Sequence, residues 1–533
     1  MIYPTKMEDG LSNGLVPPND SGKQLSEFPA ASQSERYLLL FPLLLSALLL
    51  FTNRWFDAVD DEITIINYAV KPVSTTVRLF IHGIGEHEHP PLYDIILHGW
   101  LKLTAGNEHL LRMPAICFYA LGAWTIALVA KRFGGIHSQV WVLILIMIWP
   151  FGFHFGRLAT WYSFCFLLVS LVTLCYFRFI ALPTLANWTL LVMTSLALIY
   201  SNYFGFATLG CLALDYVLCG RQDFGKSLRF LLATGGVLLI AYLPIIGPFW
   251  WEAHSGVRSH GVGISTVANG IYGMYCIFIS ESVAPWFWFV SVPAAIAIAI
   301  CLLLIVWRNP APARNFSLYF LGLFLLMALL GIAIPKRLLL ITPWLLLSIG
   351  VALGTASARS IRYILIATLT ITTGIGWYGI FSRRLYAAPH WIEPWESVAQ
   401  QAAEVVQNQG TVIGDNPSFF FYLTYMLPTR SSQAFGGEKF SGYLPGYAQM
   451  PGVYDSPHWI AANRPVTSTV LLVEGLHFSM PSNEEPQNWL DTNCSMTNSA
   501  RMVHDTGSAW KQQFAKGIDQ PEWRIEVKTY ACK

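Results

Sequence analysis

Between residues 37 and 381 the chain is written in long apolar runs separated by short polar turns. The runs fall at about 37–52, 110–130, 138–155, 162–180, 187–201, 204–220, 228–250, 284–307, 316–334, 338–357 and 361–381. Each is at or near the length, about 20 residues, at which an α-helix crosses a bilayer. The pattern therefore predicts a polytopic α-helical membrane protein of about eleven spans, with its two ends on opposite sides. A shorter stretch, "PLYDIILHGWLKLTA" (91–105), carries Asp94 and His98 and reads as a helix lying in the interface.

Polar residues set the boundaries. About 35 of them precede the first run, too many for an ordinary signal-peptide head, and no small-residue cleavage site follows. Residues 1–35, with Asn13, Pro17, Pro18 and Asn19, read as a disordered cytoplasmic tail. Residues 36–382 form the membrane domain. With the N-terminus inside, its short cytoplasmic loops hold Lys131, Arg132, Arg178, Arg221, Lys226, Arg229, Arg308, Arg314, Arg359 and Arg362. The short outer turns hold Arg157, Lys336 and Arg337, and this asymmetry predicts a cytoplasmic N-terminus and an external C-terminus. Two external loops are long, 53–90 and 251–283. Residues 383–533 are polar and alternate helix-like and strand-like stretches: "EPWESVAQQAAEVVQNQ", "TVIGD", "TSTVLLVEGL" and "EWRIEVKTYACK". They predict a small external α/β domain without a glycine-rich phosphate loop or a catalytic constellation of its own.

Composition agrees. Charged residues make up 12% of the 533, against roughly a quarter in soluble domains, and the mean hydropathy is +0.47. A net charge of +2 with no basic cluster gives no footprint for nucleic acid. Seven of the nine cysteines lie in or beside apolar runs and read as packing residues. Cys494 and Cys532 stand alone in the polar part, a pair suited to a disulfide if that part meets an oxidising compartment.

The chemistry gathers in the first outer loop. "NRWFDAVDDEITIINYAV" (53–70) sets Asp57, Asp60, Asp61 and Glu62 directly after the first apolar run, where the plain reading is solvated cap residues. Some 25 residues on comes "EHEHPPLYDIILHGW". Glu86, His87, Glu88 and His89 could ligate a divalent cation, although four alternating polar residues in a loop are more often solvated; no cofactor is certain. Then follow "LLRMPAICFYALGAWTIALVAKRFGG", the outer turn "FHFGRLATWYSF" and, near the last spans, "IPKRLLLITPWLLL".

In this order the segments resemble the polyprenyl-phosphate-dependent membrane glycosyltransferases of the GT-C fold, among them the protein mannosyltransferases and the lipid A aminoarabinose transferases. The resemblance covers residues from about 37 to 420. It implies a polyprenyl-phosphate-linked sugar donor, a lipid, glycan or protein acceptor, and an active site on the external face of a multi-pass membrane protein, in the bacterial inner or plasma membrane. The phosphate leaving group is already a stable anion, so departure needs only cations and dipoles to hold it. A carboxylate must then deprotonate the acceptor hydroxyl, and a single base attacking in line predicts inversion. A retaining path would need a nucleophile close by, typically a second carboxylate at about 5 Å. The resemblance assigns the base to Asp61, with Glu62 beside it and Asp60 as an extra acid that is the runner-up. It sets His89, after Glu88, facing the phosphate, with Tyr93 near the site. Arg337 matches the arginine of the late motif, with Lys336 adjacent. Arg258 and His260 in the second long loop are candidates by position alone.

Two departures stand out. Relatives often carry Glu-Ala-Arg before a Tyr-Ser pair at the outer turn; here Leu158, Ala159, Thr160 and Trp161 precede Tyr162 and Ser163, and Arg157 is displaced upstream, as a candidate for reaching the acceptor. The late motif has Leu338 where tyrosine is common. Asp215, an acid within a span, reads as a snorkelling residue or a partner of Arg221. Two other classes compete: a transporter of a lipid-linked or polar substrate, which needs charges along a path through the spans, and a non-catalytic scaffold for envelope glycan assembly, in which Asp61 is replaceable.

Overall fold

The structure, a computed structural model, describes residues 37–533 apart from 54–55, 58–59, 83–88, 105–106, 220–223, 252–265, 357, 384, 388–391, 393, 415, 427–452, 456–458, 461, 465, 477–483 and 504–523. The side chains of Asp60 and Asp61 are also outside the described set, though the backbone that carries them is within it.

All eleven apolar runs are helical. Among the described residues five helices are long and apolar enough to cross a membrane: Met113–Ile148, Trp161–Ala181, Leu228–Trp251, Trp288–Arg308 and Arg359–Ser382. Shorter apolar helices include Phe41–Phe51, Leu185–Ile199 and Thr342–Thr355. The chain is an integral membrane protein. Two of the runs join in α1 (Met113–Ile148), which bends at Gly134 and Gly135. Gly135 takes φ +68°, a left-handed conformation that a side chain would oppose. Just beyond the bend, α1 packs on α2 (Thr342–Thr355) through small residues. A Cβ on Gly350 would collide with Val142, and one on Gly354 with Ser138, so the backbones touch as small-residue membrane interfaces do.

One expectation is corrected. Residues 251–283, read as a long outer loop, contain the helix Thr266–Ile279, whose Tyr275, Cys276, Ile277, Phe278 and Ile279 are buried in the main core. Its polar flanks and short length hid it. The long loop 53–90 likewise contains two helices, α3 (Asp60–Val70) and Val73–His82, followed by the helix expected within 91–105, α4 (Leu92–Leu103). The expected partner of Asp215, Arg221, lies outside the described residues, and Asp215 does not snorkel. It is 4% exposed and accepts hydrogen bonds from Tyr176 Oη (2.6 Å), Tyr319 Oη (3.0 Å) and Asn315 Nδ2 (3.1 Å). A buried carboxylate met by three donors ties three helices together.

The polar C-terminal part carries a five-stranded sheet in the order β2-β1-β3-β5-β4. The strands are β1 (Thr411–Gly414), β2 (Val453–Asp455), β3 (Thr469–Leu476), β4 (Cys494–Val503) and β5 (Arg524–Cys532). β1 runs parallel to β2 and β3; β5 is antiparallel to β3 and β4. Alternation covers both faces. Val412, Leu471, Val473 and Val527 pack on one side under α5 (Trp395–Gln407), while Ile413, Val470, Leu472 and Tyr530 pack on the other with Trp459 and Leu490. Cys494 and Cys532, opposite each other in the β4–β5 register, are joined in a disulfide. The sheet region is anchored on the membrane part, since Ile392 and Phe421 belong to the same apolar core as the spans.

Candidate functional site

Three segments of the chain meet at the N-terminus of α1. Arg112 is the residue that precedes its first turn, and it is 4% exposed. Nε donates to Glu62 Oε1 at 2.7 Å and Nη2 to Glu62 Oε2 at 2.5 Å. Nη1 donates to Asn53 Oδ1 (2.9 Å) and to the Phe56 carbonyl (2.8 Å), and Nη2 also to the Asp57 carbonyl (2.8 Å). All five guanidinium protons are thus spent, which a buried arginine requires. Burial alone would lower its pKa, but the charge and hydrogen bonds of Glu62 outweigh that and hold it above the ordinary value.

Glu62 is wholly buried, and its Oε1 accepts a further bond from the Ala159 N–H at 2.7 Å. One carboxylate therefore ties the first turn of α3, which also carries Asp60 and Asp61, to Arg112 and to the turn 156–160. Arg157, in that turn, is 1% exposed and lies with its guanidinium carbon 3.8 Å from the Phe56 ring centroid and 4.6 Å from that of Phe153. Among the described residues it donates a long hydrogen bond, 3.4 Å, from Nη1 to the Thr52 carbonyl. Burial, and then the nearby Arg112 charge, pull it down to about 9, still charged at neutral pH.

Tyr93, at the start of α4, is 1% exposed. Its Oη is buried and has no hydrogen-bond partner among the described residues. Burial, with the negative charges of Glu62 and Asp94, pushes the phenol well above its usual value, so it stays a neutral donor.

On the other side of the turn lies a cavity of about 560 Å³. Its wall is apolar and aromatic, with Phe204, Phe206, Tyr242, Phe249, Leu326 and Leu330 among the lining residues, and His89, Asn202 and Arg337 add polar groups. Trp161, two residues after Ala159, lines it and packs edge-on against the His89 ring at 4.8 Å. Arg337 comes from the 3-10 turn Pro335–Leu340, with Lys336 half-buried beside it. His89 and Arg337, 248 positions apart in the chain, thus face one void. The shape suits an anionic group carried on a long apolar tail.

The sequence assignments divide accordingly. Glu62, Tyr93 and Arg157 come together around Arg112, and His89 and Arg337 around the cavity. Glu86, His87, Glu88, Arg258 and His260 lie outside the described residues, as do the side chains of Asp60 and Asp61. Among the described residues no group of three or more His, Cys, Asp or Glu side chains is placed to hold a metal ion. Sequence reasoning gave no role to Arg112, although the arginine in "LLRMPAI" was visible; nothing in the pattern said that its partner lay 50 residues upstream. It also missed Asp57, whose Oδ2 accepts the Glu396 N–H at 2.8 Å in the first turn of α5.

No family model matches the sequence, and no curated protein matches it. Among solved structures, the chain resembles ArnT from Cupriavidus metallidurans bound to undecaprenyl phosphate, at 14% identity and a TM-score of 0.50, over 92% of this chain and 98% of that one. It also resembles the arabinofuranosyltransferase AftD from mycobacteria, at 12% identity and a TM-score of 0.47, over 94% of this chain and 40% of that one. At such an identity the likeness to ArnT speaks for the fold alone. The architecture is the GT-C fold, a polytopic helical membrane body followed by a C-terminal sheet-bearing part.

Proposed function

We propose that the chain is an integral-membrane glycosyltransferase that moves one sugar from a polyprenyl-phosphate carrier to an acceptor hydroxyl on the external face, with inversion. The observation that carries this reading is the shared turn 156–161. Its Ala159 N–H grips the acid next to Asp61, while its Trp161 walls the cavity that His89 and Arg337 face. A carboxylate-bearing helix and a cation-lined apolar cavity are thereby held a few residues apart. The resemblance to ArnT, whose structure holds undecaprenyl phosphate, supports the same donor class here.

In this reading Arg337 and His89 hold the carrier phosphate, with Lys336 adding positive charge, and no general acid is needed. Asp61 takes the acceptor proton, and Asp60 is the alternative base. Glu62, with both oxygens engaged by Arg112 and Ala159, is a positioning residue: it fixes the turn of α3 that presents Asp61. Tyr93 and Arg157 border the acceptor side. Arg258 and His260 are assigned to the donor phosphate by position in the sequence, and Glu88 to substrate binding.

The test is transfer of label from a radiolabelled polyprenyl-phosphate sugar pool to membrane acceptors, comparing wild type with Asp61→Asn and Asp60→Asn at matched expression. Loss of transfer in Asp61→Asn alone supports the assignment, and the anomeric configuration of the product tests inversion. Equal labelling by both variants and the wild type would sink the catalytic reading.

A further inference from the structure

Asn202 lies in the turn between the helices Leu185–Ile199 and Gly205–Cys219 and lines the cavity that His89 and Arg337 face. Its side chain is nearly buried, the residue being 7% exposed. The amide has a fixed sense, because Oδ1 accepts the Phe204 N–H at 2.8 Å and must therefore be the oxygen. Nδ2, the donor end, has no hydrogen-bond partner among the described residues. The amide lines the void and the described residues leave its donor end unmet, so that end is available to a ligand acceptor. The turn is held firmly: the Asn202 N–H donates to the Leu198 carbonyl at 3.0 Å, and the Leu92 N–H, three residues after His89, donates to the Tyr200 carbonyl at 3.3 Å. Asn202 is thus fixed relative to the chain that carries His89.

We propose that Asn202 is a further binding residue for the donor, its Nδ2 donating to a non-bridging oxygen of the carrier phosphate. The inference rests on the donor assignment made under the proposed function. It adds a directed, neutral donor beside His89 and the Arg337 cation. Its consequence is selectivity: the amide favours a phosphorylated carrier over the matching alcohol, which offers only a single hydroxyl oxygen.

Equilibrium binding of farnesyl phosphate and of farnesol to the purified full-length chain tests this. Asn202→Asp keeps an oxygen for the Phe204 N–H but replaces the donor by a negatively charged acceptor; Asn202→Ala removes both ends. We expect wild type to favour the phosphate. Asn202→Asp should weaken phosphate binding by at least about tenfold and leave farnesol binding and the unfolding temperature unchanged. Asn202→Ala should shift the same way by less. If either variant weakens both probes alike, Asn202 merely shapes the wall; if neither changes phosphate binding, it contacts another part of the donor or nothing. Both results overturn the proposal and leave the donor reading standing. If wild type does not discriminate between the probes, the donor reading fails first and this inference with it.

Discussion

The Glu62 carboxylate and the Arg112 guanidinium meet edge to edge, Nε to Oε1 at 2.7 Å and Nη2 to Oε2 at 2.5 Å, in a site where both residues are buried. Neither charge has water to fall back on. Removing one partner strands the other, at a cost of about 3–5 kcal/mol, whereas removing both is far milder. Glu62→Ala and Arg112→Ala should each lower stability by about that amount and abolish activity, and the double variant should lose much less than the sum. Arg112→Lys should behave almost like Arg112→Ala, because an ammonium cannot serve five acceptors in a plane. Urea unfolding of the purified protein gives the cycle; additive losses would mean that the pair is not coupled.

Arg337 and His89 make a separable prediction about the cavity. If they hold the carrier phosphate, Arg337→Ala and His89→Ala should raise KM for the donor by about tenfold or more, since charge-assisted bonds to phosphate are among the stronger ones. Glu62 variants should instead lower kcat through misplacement of Asp61. Steady-state kinetics with varied donor distinguishes the two, and an unchanged donor KM in Arg337→Ala would remove that residue from the phosphate site.

Much of this arrangement was legible in the chain. Length and hydropathy mark the spans because lipid leaves the backbone no alternative to the helix. The alternation in "TSTVLLVEGL" and "RIEVKTY" marks β3 and β5 because both faces of the sheet are covered. β4, reading "CSMTNSARMV", was not legible: as an edge strand it is exposed along most of its length and so carries no alternation. The helix Thr266–Ile279 was lost for the opposite reason, a short apolar segment inside a polar loop. Which acids and bases pair is a long-range matter. Glu62 with Arg112, and Asp57 with the N-terminus of α5 339 residues later, leave no periodic trace.

Asp57 predicts a pH dependence. Burial pushes its carboxyl up from 3.8 to about 6, helped by the nearby Glu396 charge and opposed by the Glu396 N–H and by Arg112. An acid raised in the fold stabilises it when protonated. That contribution is complete below about 4 and is lost as the pH rises through about 6. Asp57→Asn keeps an oxygen to accept the Glu396 N–H while removing the titration. The variant should match wild type near pH 4 and exceed it in unfolding temperature above pH 6. Parallel curves across that range would show that Asp57 does not titrate there.

The disulfide between Cys494 and Cys532 bears on both stability and sidedness. It closes a loop with a sequence separation of 38 and pins the edge strand β4, which has only β5 as a neighbour, to the rest of the sheet. In the chain-entropy account such a closure contributes about 4 kcal/mol, so Cys494→Ser with Cys532→Ser should unfold the sheet region several degrees earlier. Such a bond persists where the compartment is oxidising, which places this part of the chain outside the cytoplasm in the proposed topology. In intact cells a membrane-impermeant maleimide should therefore fail to label either residue at first. It should label both after an impermeant reductant is added, while Cys165, Cys276 and Cys301, buried in the membrane body, stay unmodified throughout. Labelling without reductant would mean that the bond does not form in the cell. Labelling only after the membrane is permeabilised would place the sheet on the cytoplasmic side and overturn the external active site with it.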